Sequence, residues 1–319
     1  MKRIAVIEGG YSSEEIISID SAKTIFDHVN TQLYKPVKVS INQSGWFVLE
    51  GGQKLAIDLT DFSYQFNNQK YKFDFAFIVI HGTPGEDGKL QAYFDMLNIP
   101  YSTSSHHIST LTFNKYICNQ FLKSFNIDVA EAILYRKGEK INEEQIVKTL
   151  GLPCFVKPAD GGSSFGITKV TETHQLTEAV QKAMIHGSQV IIESYLKGRE
   201  VTNGIYITKS GSHVLPIAEI VTTHDFFDFE AKYKGESDEI IPAPIPDSWT
   251  TEIKNITKKV SSLLGLKGIA RIDYIIVNEK PYLIEVNTVP GMTKGSLVPQ
   301  MIAHENLSLT KIIEEIIES

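Results

Sequence analysis

Residues 271–287 read Arg-Ile-Asp-Tyr-Ile-Ile-Val, then Asn-Glu-Lys, then Pro-Tyr-Leu-Ile-Glu-Val-Asn. Two apolar runs of strand length meet at a polar turn, which predicts a β-hairpin. With Asn278-Glu279-Lys280 as the turn, Val277 lies opposite Pro281. Asp273 then faces Glu285, and Arg271 faces Asn287. Side chains alternate along a strand, so these four polar groups share one face. The other face, with Ala270, Ile272, Tyr274, Ile276, Tyr282, Ile284 and Val286, is apolar and should cover a core. Directly opposed carboxylates cost a sheet roughly 0.2–1 kcal/mol. Hard oxygen ligands of this kind suit a divalent cation that also meets substrate phosphates. The pattern equally fits a solvated polar face on which Arg271 neutralises one acid.

Two further segments carry chemistry. Lys157 ends an apolar strand, Cys154 to Lys157, and is followed by Pro-Ala-Asp-Gly-Gly-Ser-Ser-Phe-Gly through Gly166. Glycines let backbone N–H groups approach an anion, and the serines and lysine add donors and charge. The same stretch can serve as a plain turn between strands. Glu193 and Glu200 flank a short connection between two strands, where they could accept hydrogen bonds from a ribose or an amino group, or simply face water.

The chain around these segments is ordinary in size and composition. Its 319 residues, 42% hydrophobic and 22% charged, suggest about two domains at roughly 150 residues each. The net charge of −7 argues against a general nucleic-acid binder. No run approaches the length of a transmembrane helix. Cys118 and Cys154 stand far apart with no zinc-type spacing, which fits a reducing cytosol. Arg3 to Ile7 reads as a first strand ending in Glu8-Gly9-Gly10. A helix follows, with Ile16, Ile19, Ala22, Ile25 and Val29 as its apolar stripe and Ser12 or Ser13 as cap. Phe75 to Ile80, apolar throughout, suits a buried parallel strand. Helices are expected over 114–125, 176–184, 253–264 and 309–317. The segment 222–244 is polar, aromatic and aperiodic, as functional loops of that length are.

In this order the pieces resemble the D-alanine–D-alanine ligases of the ATP-grasp superfamily. The resemblance is carried by Gly9-Gly10-Tyr11-Ser12-Ser13-Glu14 with Ser18, by His81 to Gln91 (HGTPGEDGKLQ), by Lys157 to Gly166 and by Phe227 to Tyr233 (FDFEAKY). It continues through Arg271-Ile272-Asp273, Glu285-Val286-Asn287, Pro290-Gly291-Met292-Thr293 and Ser296-Leu297. It runs from residue 3 to residue 300 without a break in order.

The resemblance implies an α/β (α+β) fold in three domains. These are an N-terminal open parallel-sheet domain over 1–100, a small central domain over 101–188, and a C-terminal domain over 189–319 that carries the metal site and a closing loop at 222–244. It implies ATP held by Lys115, Lys157 and Lys232, with Glu193, Leu196 and Glu200 around adenine and ribose. Asp273, Glu285 and Asn287 would hold two Mg²⁺ or Mn²⁺ ions. Glu14 would bind the ammonium of the first D-alanine, with His81 beside it. Arg271 and Gly291 would stabilise the oxyanion, and Ser296 and Leu297 would hold the carboxylate of the second D-alanine. Ser163 and Tyr233 would link the closed loop to Glu14. The activity implied is ATP-dependent synthesis of D-alanyl-D-alanine through an acyl phosphate, for peptidoglycan, by a cytoplasmic homodimer. A D-alanine–D-lactate ligase, or another ATP-grasp carboxylate–amine ligase, is the alternative. Tyr233 favours the dipeptide, because lactate-using members differ in that loop. The chain departs from the family pattern at Ser194, at Tyr101 to His107 and at Gly295.

Overall fold

The computed structural model describes residues 1–161, 166–222 and 237–319. Three main sheets organise it. In the first, the strand Lys2–Gly9 pairs in parallel with Tyr34–Asn42 on one side and Phe75–Ile78 on the other. Gly45–Glu50 and Gln53–Ala56 extend the sheet antiparallel at the far edge. The expected open parallel sheet is therefore the centre of a mixed one. Ile4, Ala5, Val6 and Ile7 are all fully buried, as a central parallel strand covered on both faces requires.

The helix after that strand spans Glu15–His28, but its buried face differs from the expected stripe. Ile16 is 72% exposed and Ile19 41%, whereas Ser18 and Ser21 are buried with Ala22 and Ile25. Hydrogen bonding turns the helix. Ser18 Oγ donates to the Val79 carbonyl at 2.9 Å and accepts from Gly9 N at 3.0 Å, and Ser21 Oγ accepts from Met292 N at 3.0 Å. Buried hydroxyls that are hydrogen-bonded in this way displace two isoleucines from the interior.

The second sheet is antiparallel, ordered Thr168–Val170, Cys154–Pro158, Gln189–Ser194, Ala132–Arg136. Gln189–Ser194 pairs with both Cys154–Pro158 and Ala132–Arg136, so a division of the chain at 188 would cut this sheet. Cys154, Val156, Val190 and Ile192 pack on Ile146, Leu176 and Val180. The alternate residues Phe155, Lys157 and Glu193 consequently point the other way, toward the cleft.

The third sheet runs Ser237–Ile240, Gly211–Thr222, Arg199–Thr208, Gly268–Val277, Lys280–Asn287, again antiparallel. The last two strands form the anticipated hairpin with one change. Its turn has two residues, Asn278 and Glu279, both at positive φ (48° and 70°), so Val277 pairs with Lys280. A β-bulge after Asp273 absorbs the extra residue and restores Asp273 opposite Glu285 and Arg271 opposite Asn287. The bulge also swaps faces along the return strand. Leu283, 1% exposed, enters the core, while Ile284 turns to the cleft.

Ala270, Ile272, Tyr274 and Ile276 pack against Ile253, Val260 and Leu264 of the helix Asp247–Leu264, with Cys118 and Leu122 of the helix Lys115–Lys123. Ile272 is fully buried there. Ile272→Ala should lower stability by about 2–5 kcal/mol, read as a drop in the urea midpoint with an unchanged slope. A separate apolar cluster joins Ile4, Val6 and Ile25 to Met301 and Ile302 of the helix Leu297–His304 and to Ile313 of Leu309–Ile317. It ties the N-terminal sheet to the C-terminal part of the chain.

Candidate active site

The three sheets meet at a cleft of about 970 Å³. Fourteen of the residues singled out from the sequence line it: Glu14, His81, Lys115, Lys157, Glu193, Leu196, Glu200, Arg271, Asp273, Glu285, Asn287, Gly291, Ser296 and Leu297. Ser163, Lys232, Tyr233 and most of the 222–244 loop lie outside the described residues.

Asp273 is the most tightly held acid. Arg271 grips it with a two-pronged fork, Nε to Oδ1 and Nη2 to Oδ2, both at 2.8 Å. Thr202 Oγ1 donates to Oδ1 at 2.5 Å and Asn287 Nδ2 to Oδ2 at 3.0 Å. Thr202 lies opposite Asp273 on the neighbouring strand. Sequence periodicity alone could not show that this buried threonine belongs to the site. Glu285, across the hairpin, meets Lys115 Nζ at 3.0 Å, and Lys115 also donates to the Gly161 carbonyl at 2.7 Å. Burial opposes the Lys115 charge, but Glu285 outweighs it and holds the ammonium above its usual range. Asn114 caps this helix by accepting from Ile117 N at 3.0 Å, which fixes where Lys115 begins. Lys157 pairs with Glu193 Oε2 at 2.6 Å. Phe155 and Ile284 supply apolar wall beside that pair.

At the other end, Glu14 begins the Glu15–His28 helix. Ser12 Oγ donates to the His81 carbonyl at 3.0 Å, and Gly82 N donates to Glu86 Oε2 at 2.9 Å. Gly82 has φ +68°, and a Cβ there would stand 3.2 Å from Ser12, so glycine lets the two loops touch. His81 is buried, and its Nε2 has no hydrogen-bond partner among the described residues. Burial keeps its ring neutral, against the pull of Glu14 and a hydrogen bond to the Val289 backbone. The turn at 291–296 is closed by Thr293 N to Ser296 Oγ at 3.1 Å and by Ser296 N to the Thr293 carbonyl at 2.9 Å. A Cβ on Gly291 would lie 2.8 Å from Ser296 Oγ. Ser296 opens the helix Leu297–His304, and N–H groups at a helix start suit a carboxylate. His106 and His107 stay outside the cleft, His106 bonded to Asp95 at 2.7 Å.

Glu86, beneath Gly82, has its carboxyl pushed up to about 7 by burial and then by Glu14, against the Gly82 N–H and Lys115. The folded protein therefore holds a proton that the unfolded chain releases near its ordinary value of 4.5. Stability should fall as pH rises between those two values. In Glu86→Gln that fall should flatten, as checked by urea midpoints across the window.

A nucleotide-sized cleft between antiparallel sheets, with lysines on one wall and opposed carboxylates on the other, defines the ATP-grasp class of α/β proteins. The chain belongs to the D-alanine–D-alanine ligase family. The family model "D-ala D-ala ligase N-terminus" matches residues 3–104, and "D-ala D-ala ligase C-terminus" matches 121–318. The chain is 45% identical to a D-alanine–D-alanine ligase of Phocaeicola vulgatus, over 100% of this chain and 99% of that one. Among solved structures it is similar to the VanG D-Ala:D-Ser ligase of Enterococcus faecalis, with TM-score 0.88 and 29% identity over 99% of this chain and 98% of that one. It is also similar to a Bacillus anthracis D-alanine–D-alanine ligase complexed with ATP, with TM-score 0.80 and 28% identity over 100% and 97%.

Proposed function

We propose that this protein is an ATP-dependent ligase that joins two D-alanines into D-alanyl-D-alanine for peptidoglycan synthesis. One observation carries the reading. Asp273 and Glu285 oppose each other in a cleft that also presents Lys115, Lys157, Arg271, Glu14 and the Gly291–Ser296 turn. Carboxylates paired across a hairpin are unfavourable without cations beside them; Arg271 and Lys115 offset these two, and the oxygens they share on one face suit a metal.

Asp273, Glu285 and Asn287 would hold Mg²⁺ or Mn²⁺, two ions in our reading. The donor set fits. All three supply hard oxygen ligands from one face; Asn287, which turns its Nδ2 to Asp273, leaves Oδ1 for a metal, and Asp273 would exchange one of its four hydrogen bonds for the ion. No three acids, histidines or cysteines cluster among the described residues. Such an incomplete shell is the kind that phosphate oxygens complete. When bound, the metal neutralises charge on the transferring phosphoryl group.

The chain's own residues do the rest. Lys115 and Lys157, with Lys232 from outside the described residues, hold the phosphates. Glu193, Leu196 and Glu200 line the nucleoside end. Glu14, with neutral His81 beside it, receives the ammonium of the first D-alanine, so its carboxylate points at the γ-phosphate. That carboxylate, a poor acyl donor, becomes an acyl phosphate and releases ADP. The amine of the second D-alanine, whose carboxylate lies at Ser296 and Leu297, attacks the carbonyl. Arg271 and the Gly291 N–H stabilise the oxyanion, a contribution worth about 10²–10³ in rate per donor. Phosphate then leaves. Ser163 and Tyr233 would tie the closing loop to Glu14.

The domains would meet at this cleft, with the break between the second and third after Ser194. Two buried free thiols, Cys118 and Cys154, suit the reducing cytoplasm. No described helix is long and apolar enough to cross a membrane. The family resemblance supports a homodimer, and sizing in solution checks it. The activity is tested with purified protein, ATP, Mg²⁺ and D-alanine. ADP release that depends on D-alanine supports the reading, and its absence overturns it.

A further inference from the structure

One carboxylate at the second-substrate end of the cleft has no role in the mechanism above. Glu239 sits on the edge strand Ser237–Ile240 and lines the cleft with Arg271, Gly295 and Ser296. Gln300 Nε2, from the helix Leu297–His304, donates to Glu239 Oε2 at 2.6 Å and to the Gly295 carbonyl at 2.9 Å. The carboxylate is thereby fixed to the turn that presents Ser296. Its Oε1 has no hydrogen-bond partner among the described residues. Burial pushes its carboxyl above the usual range, opposed by the Gln300 hydrogen bond and by the nearby Arg271 guanidinium, which favour its negative charge.

The sign of that charge is informative. This end of the cleft receives a carboxylate and a developing oxyanion, and a fixed negative charge repels both. The first ammonium is already met by Glu14. The remaining cation that either substrate brings is the ammonium of the second amino acid. We propose that Glu239 receives this ammonium, held in place by Gln300, and so selects an amino acid over a hydroxy acid at the second site. The proposal rests on the ligase reading given above and concerns only how the ammonium is bound and oriented, before it loses a proton to solvent and attacks as the amine. A D-lactate hydroxyl gains less from a carboxylate than an ammonium does, because hydrogen bonds between two charged groups are the stronger kind.

The test uses the full chain with ATP, Mg²⁺ and mixtures of D-alanine and D-lactate, following ADP and both products. Glu239→Gln keeps the shape and removes the charge. It should raise the second-site KM about tenfold and lower the dipeptide-to-depsipeptide ratio about tenfold, the size of one charge-assisted contact. The KM values for ATP and for the first D-alanine should stay put. Glu239→Asp, which keeps the charge, should hold the product ratio within about twofold, and it answers the question should the glutamine variant fail to fold. Gln300→Met removes the strut and leaves the charge, so it should lower the ratio by less than Glu239→Gln does. An unchanged ratio in Glu239→Gln, or an equal loss in Gln300→Met, would overturn the proposal and leave Glu239 as a structural strut. Wild-type protein that releases no ADP with D-alanine would instead overturn the ligase reading.

Discussion

Glu285→Gln should lower kcat for D-alanine-dependent ADP release about 10³-fold, the rate equivalent of losing a metal contact worth several kcal/mol. The glutamine keeps the shape of the side chain and an oxygen toward Lys115, 3.0 Å away. Truncation to alanine would instead strand a buried lysine, and a protein that then unfolded would say nothing about catalysis. Circular dichroism should therefore match wild type, and excess Mn²⁺ should recover part of the rate, since a weakened site fills by mass action. A variant that keeps wild-type turnover would remove Glu285 from the metal site.

Arg271→Lys should lower kcat by about 10²–10³. Two functions meet in this side chain. Its fork supplies two of the hydrogen bonds on Asp273, and in the proposed mechanism its charge would stabilise the tetrahedral oxyanion. Lysine keeps a charge but presents a point rather than a planar pair of donors. Asp273 would keep Thr202 and Asn287 as partners, so the strand should stay in register. Steady-state kinetics beside a urea denaturation curve separate the two effects. The expected outcome is a large loss in kcat with a midpoint near that of wild type.

The hairpin was legible in the sequence because its signal is local. Alternation at period two puts Arg271, Asp273, Glu285 and Asn287 on one face whatever lies around them. The turn was harder to read. Three residues or two give the same facing of Asp273 and Glu285 once a bulge is allowed, and strands do not announce bulges. The strands Gly45–Glu50 and Gln53–Ala56 did carry a signal, Gly51-Gly52 at positive φ (60° and 74°), the residue type that tight hairpins favour. The face of the first helix was not legible. Ser18 and Ser21 are buried because their partners, Val79 and Met292, come from distant parts of the chain. Thr202 and Glu239 escaped for the same reason, their partners Asp273 and Gln300 lying far along the chain. A lone threonine or glutamate on a strand or loop is ordinary until tertiary contacts aim it at a cleft.

The acyl phosphate is the central claim, and isotope transfer tests it most directly. D-alanine carrying ¹⁸O in both carboxylate oxygens is turned over with ATP and Mg²⁺, and the released phosphate is analysed by mass spectrometry. If the carboxylate attacks the γ-phosphate and the amine later displaces phosphate, each phosphate carries one ¹⁸O atom from the first D-alanine, and D-alanyl-D-alanine forms in equal amount. Phosphate without label, formed alongside dipeptide, would contradict the mechanism.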